Sequence, residues 1–197
     1  MPSTNESPYD LGLVFVLDIV GDLTSETLAA ALRVDIQVRG LRTEAAVDDR
    51  PPRVLVRIAS RGGETDIGAA IFQMLTMMPA EIVTLALGSI SSAATIVFCA
   101  GSLRLLANQT RVVFHAPRWN PEGSYTVEEQ RNVLKVSERR FELAASILST
   151  TTGRDIDMIA SELATGRVFT AEEAVAVRLA TAVVSRVEFE PRQIARN

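Results

Sequence analysis

The sequence predicts an α/β fold with a largely parallel sheet, on three observations. Short runs rich in Val, Leu and Ile alternate with segments of helical period, the pattern of strands joined by crossover helices. Glycine-containing turns follow several of the apolar runs, where a parallel strand must hand over to a helix. A chain of 197 residues, 47% apolar and 22% charged, has the length and composition to bury one core unaided. A single domain over 1–197 is expected, with residues 1–10 and 189–197 as flexible tails.

Each element has a local reason. Leu11–Val20 (LGLVFVLDIV) is short and branched or aromatic, hence a buried strand, punctuated by Gly21-Asp22. Thr24 or Ser25 can cap a helix through SETLAAALRVDIQV that Gly40 should close. Residues 41–52, with Asp48, Asp49 and two prolines, read as a surface loop, and Arg53–Ala59 (RVLVRIA) as the second strand. Ser60-Arg61-Gly62-Gly63 is a tight turn before a helix from Thr65, whose apolar face carries Ile67, Ile71, Met74, Leu75 and Met78 and which Pro79 ends. A third strand covers 81–88, a short buried helix 92–100, and two short strands 103–107 and 111–116 flank the turn Asn108-Gln109-Thr110. Residues 117–125 form a loop. Thr126 and Glu129 make a capping box for a helix to Thr152, about 40 Å long at 1.5 Å per residue. Asp155 caps a further short helix, Thr170 and Glu173 open one through Leu179, and 181–188 is a last strand.

Composition excludes several function classes. Lys plus Arg number 20 against 24 for Asp plus Glu, a net charge of −4, so no nucleic-acid partner is expected. One Cys (Cys99) and one His (His115) form neither an internal disulfide nor a tetrahedral zinc site. No Walker loop and no GxGxxG is present, so no nucleotide or other cofactor is expected. The first ten residues lack the basic region of a signal peptide, and Leu11–Val20 is far short of the about 20 residues of a membrane span. The expectation is a cytoplasmic protein without a membrane partner.

Two turns invite a functional reading. In Ser60–Gly63 successive glycines let backbone N–H groups face a ligand, although the same turn serves simply to join strand to helix. Gly88-Ser89-Ile90-Ser91-Ser92-Ala93-Ala94 places serines at a strand-to-helix turn. There a serine is either a cap or a nucleophile whose oxyanion is held by backbone N–H groups. Such a nucleophile needs a base, and the one His of the chain, His115, lies near the end of the strand RVVFHA.

These residues resemble the proteolytic subunit of Clp protease (ClpP), in the ClpP/crotonase superfamily. The family's strand, Ser-Pro-Gly-Gly turn and helix are similar to VRIASRGGETDIGAAI, with Arg61 in place of Pro. Its nucleophile motif, Met-Gly-x-Ala-Ala-Ser-Met-Gly, resembles Leu87–Ala94 and selects Ser92 rather than Ser91 or Ser89. Ala100-Gly101 and Arg111–Pro117 resemble the segment that carries the family's histidine, His115 here. The helix after residue 125 looks like the family's handle helix, and TAEEAV like its closing helix.

The resemblance, over 12–188, implies a spiral of mostly parallel strands with a protruding handle helix. It implies a serine endopeptidase cleaving unfolded polypeptide inside a homo-oligomeric ring fed by an ATP-dependent unfoldase. Ser92 and His115 would be catalytic, the N–H groups of Gly63 and Ala93 the oxyanion hole, and substrate would lie extended along 117–125. There are departures. Gly166 stands where the triad Asp belongs, with Glu162, Asp157 and Glu122 as candidate substitutes. Arg178–Thr181 replaces Gly-Leu-Val-Asp, and loop 41–52 is longer. Two other readings stand beside the peptidase: an inactive structural subunit of a mixed ring, and a crotonase-type acyl-thioester enzyme, which shares the fold but for which nothing in the sequence suggests acyl-CoA recognition.

Overall fold

A computed structural model describes residues 9–44, 51–116 and 124–192. Strands β1 (Tyr9–Val20), β2 (Arg53–Ala59), β3 (Glu81–Ala86), β5 (Leu103–Ala107), β8 (Ala182–Val184) and β9 (Val187–Pro191) form one sheet in the order β8-β5-β3-β2-β1-β9. All its pairings are parallel. A smaller sheet, β4-β6-β7, joins β4 (Ser89–Ser91), β6 (Arg111–Val113) and β7 (Val168–Phe169). The β4–β6 pairing is parallel and β6–β7 antiparallel.

The two faces of the large sheet bury different sets, as the two-residue period of a strand requires. Val54, Val56 and Ile58 join the main core, together with residues of helices α1 (Ser25–Glu44), α2 (Thr65–Met77) and α3 (Ala93–Phe98). Leu55 points the other way, into a second cluster with Leu11, Val14, Val83 and Leu105. Burial on both faces explains the near-continuous apolar runs of β2 and β3. On the β1–β2 ladder Asp18 and Arg57 are register partners and form an ion pair, Arg57 Nε donating to Asp18 Oδ1 at 2.6 Å.

The remaining helices are α4 (Val127–Thr152), α5 (Ile156–Thr165) and α6 (Ala171–Ala176). Both expected capping boxes form, Thr126 with Glu129 and Thr170 with Glu173, and Asp155 caps α5 through the N–H groups of Asp157 and Met158. Helix α4 divides in two. Ala144, Ala145, Ile147 and Leu148 are buried against the domain, whereas Val127, Leu134 and Val136 are exposed.

Several sequence expectations change. Gly40 does not close α1, which runs on to Glu44 with Gly40 outside the left-handed region. A glycine inside a helix costs about 1 kcal/mol, a deficit that burial of Val38 and the Asp35–Arg39 ion pair at 2.9 Å offset. The expected last strand is two, β8 and β9, with a break between Val184 and Val187. Strands β4 and β7 were not expected. Helix α6 stops at Ala176, short of Leu179, and β6 at Val113, short of Ala116. Tyr9 and Asp10, expected in a tail, pair with Val187 and Glu188, and Phe189–Pro191 belong to β9. Residues 1–8, 45–50, 117–123 and 193–197 lie outside the described residues. With them lie the rest of both expected tails, most of loop 41–52 and most of the expected substrate segment 117–125. Among the described residues no helix is long and apolar enough to cross a membrane.

Candidate active site

The two turns singled out in the sequence are built into one structure. Ser60 is buried, and its Oγ accepts from the Gly62 N–H at 3.0 Å, closing the turn on itself. Ser91 Oγ then donates to the Arg61 carbonyl at 2.7 Å, tying the second turn to the first. Glycine is required at both central positions. Gly62 (φ 105°) and Gly63 (φ 145°) lie in the region side chains avoid. A Cβ on Gly62 would meet Ser92 Cβ at 2.7 Å and the Ala93 nitrogen at 3.2 Å; one on Gly63 would meet the Leu23 backbone at 2.5 Å.

That close approach sets the donors. Gly63 bridges Leu23 in parallel, and the ladder bonds run from Leu23 N–H to the Gly62 carbonyl (2.8 Å) and from Glu64 N–H to the Leu23 carbonyl (3.1 Å). The Gly63 N–H lies outside this ladder. Ala93 is the first residue of α3, where a helix leaves its N–H groups without intrahelical acceptors. The bare Cα of Gly62 is what keeps the space beside the Ala93 nitrogen open.

Ser92 itself carries the strain. Its φ of 55° and ψ of −133° fall outside the regions a residue with a side chain ordinarily adopts, and its side chain makes no capping bond to α3. A cap would show extended backbone and an Oγ bonded to a helix N–H, so the conventional role for serine at this position is not the one taken. The strained elbow turns Ser92 toward a cavity that it lines together with His115. Ile96, Phe114, Leu148 and Leu163 supply apolar walls, Ala93 and Ala144 small ones, and Thr65 and Thr95 the remaining hydroxyls. The cavity is small, with about 20 Å³ open to the centre of a water-sized group.

His115 follows β6, whose ladder to β7 continues with the Phe114 N–H donating to the Arg167 carbonyl at 2.8 Å. Phe114 packs edge-on against Phe169 with ring centroids 4.9 Å apart, fixing this corner from below. His115 Nδ1 lies 2.8 Å from the Ala116 carbonyl oxygen. A carbonyl only accepts, so this contact requires the proton on Nδ1 and leaves Nε2 as the ring's basic nitrogen. This is the tautomer that a carboxylate imposes in a Ser-His-acid triad.

No carboxylate does so here among the described residues. Gly166 is the left-handed residue that ends α5 (φ 75°, ψ 45°), and a Cβ on it would come 3.8 Å from the Phe114 carbonyl. The position is thus beside the histidine strand, as the family resemblance implied, but it holds no acid. Glu162 is buried and occupied: Arg154 donates to both its oxygens at 2.7 and 2.9 Å, and Arg167 Nη1 lies 3.2 Å from Oε1. Asp157 is exposed in the first turn of α5, and Glu122 lies outside the described residues. The substitutes weighed from sequence therefore include none that reaches His115 in the described structure. Cys99 is buried and takes no part; burial pushes its thiol up to about 11.

Sequence reasoning missed three things here. The Ala116 carbonyl carries no side-chain signal. Thr95 was passed over inside a helical run. Leu148, in the helix that resembles the family's protruding handle, is only 1% exposed and lines this cavity.

A profile described as Clp protease matches residues 42–187. An ATP-dependent Clp protease proteolytic subunit 3 of Rhizobium meliloti is 30% identical over 191 residues, covering 95% of this chain and 92% of its own. Another subunit 3, from Rhodococcus jostii, is 30% identical over 132 residues, covering 66% of this chain and 64% of its own. The solved structure of ClpP1 from Listeria monocytogenes, in an asparagine-to-aspartate variant, matches with a TM-score of 0.71. It covers 87% of this chain and 91% of its own, at 18% identity, a likeness of fold. Taken with the paired glycine turn, the strained serine elbow and the histidine strand in that order, these matches show that the chain belongs to the Clp protease family.

Proposed function

We propose that the protein is a serine endopeptidase acting on unfolded polypeptide, with Ser92 as nucleophile and His115 as general base. The observation that carries the reading is the strained backbone of Ser92, without a capping bond, on a cavity shared with His115. Strain of this kind costs of order 1–3 kcal/mol, and it serves nothing in the helix it precedes.

The chemistry follows from the donors and acceptors. Ser92 Oγ adds to the scissile carbonyl while His115 Nε2 takes its proton. The oxyanion formed is held by the N–H groups of Gly63 and Ala93, each removed from competing acceptors by the glycine turn and the start of α3. Transfer of that proton from His115 to the leaving amine expels it and leaves an acyl-enzyme. A water deprotonated by His115 then adds to the ester, and return of the proton to Ser92 releases the acid. Throughout, the Ala116 carbonyl holds Nδ1–H. A neutral carbonyl stabilises the imidazolium less than a carboxylate, so turnover is slow.

The chain works as a homo-oligomer, in a ring of the kind the family forms. Val127, Leu134 and Val136 support this, being apolar and exposed on the half of α4 that does not pack on its own domain. An ATP-dependent unfoldase as partner rests on the likeness to proteolytic subunits of ATP-dependent Clp proteases. One domain spanning 1–197, and a cytoplasmic location, complete the reading.

An alkyl fluorophosphonate labels only an activated serine. Labelling of the native protein that Ser92→Ala removes is expected. Absence of labelling in folded protein would favour the second reading, a structural subunit, which the lack of a carboxylate on His115 among the described residues supports. Light scattering giving 21.3 kDa at micromolar concentration would remove the oligomer.

A further inference from the structure

Thr95 is 2% exposed, lines the cavity beside Ser92, and its hydroxyl has no hydrogen-bond partner. A threonine inside a helix ordinarily donates to the carbonyl four residues back. Here that residue is Ser91, in β4 on the far side of the Ser92 elbow, and the Ser92 carbonyl, three residues back, accepts the Thr95 N–H at 2.9 Å and not its hydroxyl. A buried hydroxyl left unpaired is destabilising, and such groups in native structures call for a reason. The other buried threonines in this core have theirs: Thr84 Oγ1 donates to the Phe98 carbonyl at 2.9 Å, Thr110 Oγ1 to the Ala86 carbonyl at 3.2 Å, and Thr152 Oγ1 to the Leu148 carbonyl at 2.7 Å. The exception is the one on the wall of the cavity at the nucleophile.

We infer that Thr95 is a specificity-determining residue: its hydroxyl reads a short, neutral, hydrogen-bonding side chain on the residue whose carbonyl Ser92 attacks. The inference rests on the peptidase reading and assigns its substrate class. The cavity fits a small group because only about 20 Å³ is open to the centre of a water-sized group, space for a side chain of a few heavy atoms, and Ala93 and Ala144 leave the walls shallow. It fits a neutral one because no Asp, Glu, Lys or Arg lines it to pair with a charged side chain. It selects a hydrogen-bonding one because an apolar side chain seated there leaves the Thr95 hydroxyl sealed and unpaired. A site with a buried polar group rejects the analogue that cannot pair with it. Valine and threonine, equal in shape, isolate that term.

The test uses peptidyl diphenyl phosphonates with Thr or Val at the reacting position on the intact protein. Ser92 Oγ bonds to phosphorus and a phenoxide leaves, taking the proton that His115 received from Ser92. The rate constant of modification therefore reads the cavity in a single event. A simple alkyl fluorophosphonate, with no such side chain, is run in parallel. Wild type should react about three- to tenfold faster with the Thr compound than with the Val compound, the range a single neutral hydrogen bond provides. Thr95→Val should remove or invert the preference and Thr95→Ser should keep it, each phosphonate rate being taken relative to the same protein's own fluorophosphonate rate. Equal rates for the two phosphonates, or a preference that survives Thr95→Val, with fluorophosphonate labelling intact, would overturn the inference and leave the peptidase reading standing. Loss of fluorophosphonate labelling in wild type itself would overturn both.

Discussion

Replacing Gly166 by aspartate restores an acid at the only described position that the family resemblance and the structure both place beside the histidine strand. The cost can be worked from the geometry. A Cβ there is 3.8 Å from its nearest neighbour, the Phe114 carbonyl, an ordinary contact, so no overlap opposes the substitution. The backbone does oppose it: φ is 75° and ψ 45°, a conformation that costs a residue with a side chain roughly 1–2 kcal/mol, aspartate being among the more tolerant. A negative charge at the end of α5 adds about 0.3–1 kcal/mol. The sum, near 2 kcal/mol, corresponds to a melting temperature lower by about 4–8 °C in a domain of this size. The gain is kinetic. A carboxylate accepting Nδ1–H in place of the Ala116 carbonyl makes a charge-assisted bond, roughly twice as strong. Removing the acid from a well-studied triad costs about 10⁴ in turnover, which bounds the gain from above. At least tenfold is expected, about 1.4 kcal/mol of barrier. Initial rates on a peptide p-nitrophenyl ester, beside a thermal melt, measure both sides. Ser92→Ala should abolish turnover with either residue at 166. A Gly166→Asp protein that melts within the expected range yet hydrolyses no faster would refute the argument that His115 lacks an acid.

Gly62→Ala brings a Cβ to 2.7 Å from Ser92 Cβ at a φ of 105°, so fluorophosphonate labelling should fall at least about tenfold and stability by about 2–5 kcal/mol; wild-type labelling of a folded variant would contradict the close approach. Glu162→Gln leaves Arg154 and Arg167 facing a neutral group, and should cost about 3–5 kcal/mol by chemical denaturation; a change below about 1 kcal/mol would show the cluster to be solvated. The Arg140 guanidinium, by hydrogen bond and then by charge, holds the Asp66 carboxyl below the usual aspartate range. The bond ties α4 to α2, so its stabilisation is complete above the unfolded value near 4 and is lost as pH falls through the folded one. Urea melts of Asp66→Asn should therefore match wild type less well at pH 6 than at pH 2.5, and a constant difference would rule the pair out. Cys99, its thiol raised to about 11 chiefly by burial, should resist a neutral thiol reagent at pH 8 in native protein and react once unfolded; its contribution to stability fades above pH 9, where the unfolded thiol ionises first.

What the sequence determined by itself is whatever depends on residues close together in the chain. The Thr126–Glu129 and Thr170–Glu173 capping boxes span three residues and formed as expected, and so did the Asp155 cap. Strands β2 and β3 announced themselves because burial on both faces leaves an unbroken apolar run. The order of the glycine turn, serine elbow and histidine strand was legible as family resemblance before any geometry was available. Strands β4 and β7, at three and two residues, are too short to show a period, and only their partners in the small sheet make them strands. Gly40 carries the signal of a helix end, but the packing of Val38 against the core outweighs it.

The site's chemistry was decided at longer range. Ser92 is pushed to φ 55° by a turn that Gly62 and Ser91 clamp from about 30 residues apart in sequence, as the Ser91–Arg61 bond records. His115 is served by a backbone carbonyl, a group every residue carries and no sequence distinguishes. Glu162 is denied to it because Arg154 and Arg167 surround the carboxylate first. Leu148 turns inward, and Thr95 loses its acceptor at the elbow, because side-chain surroundings are set by which elements meet. Local hydrogen bonding and periodicity are written in neighbouring residues, whereas strain, orphaned donors and the competition for a carboxylate arise only when distant segments share one volume.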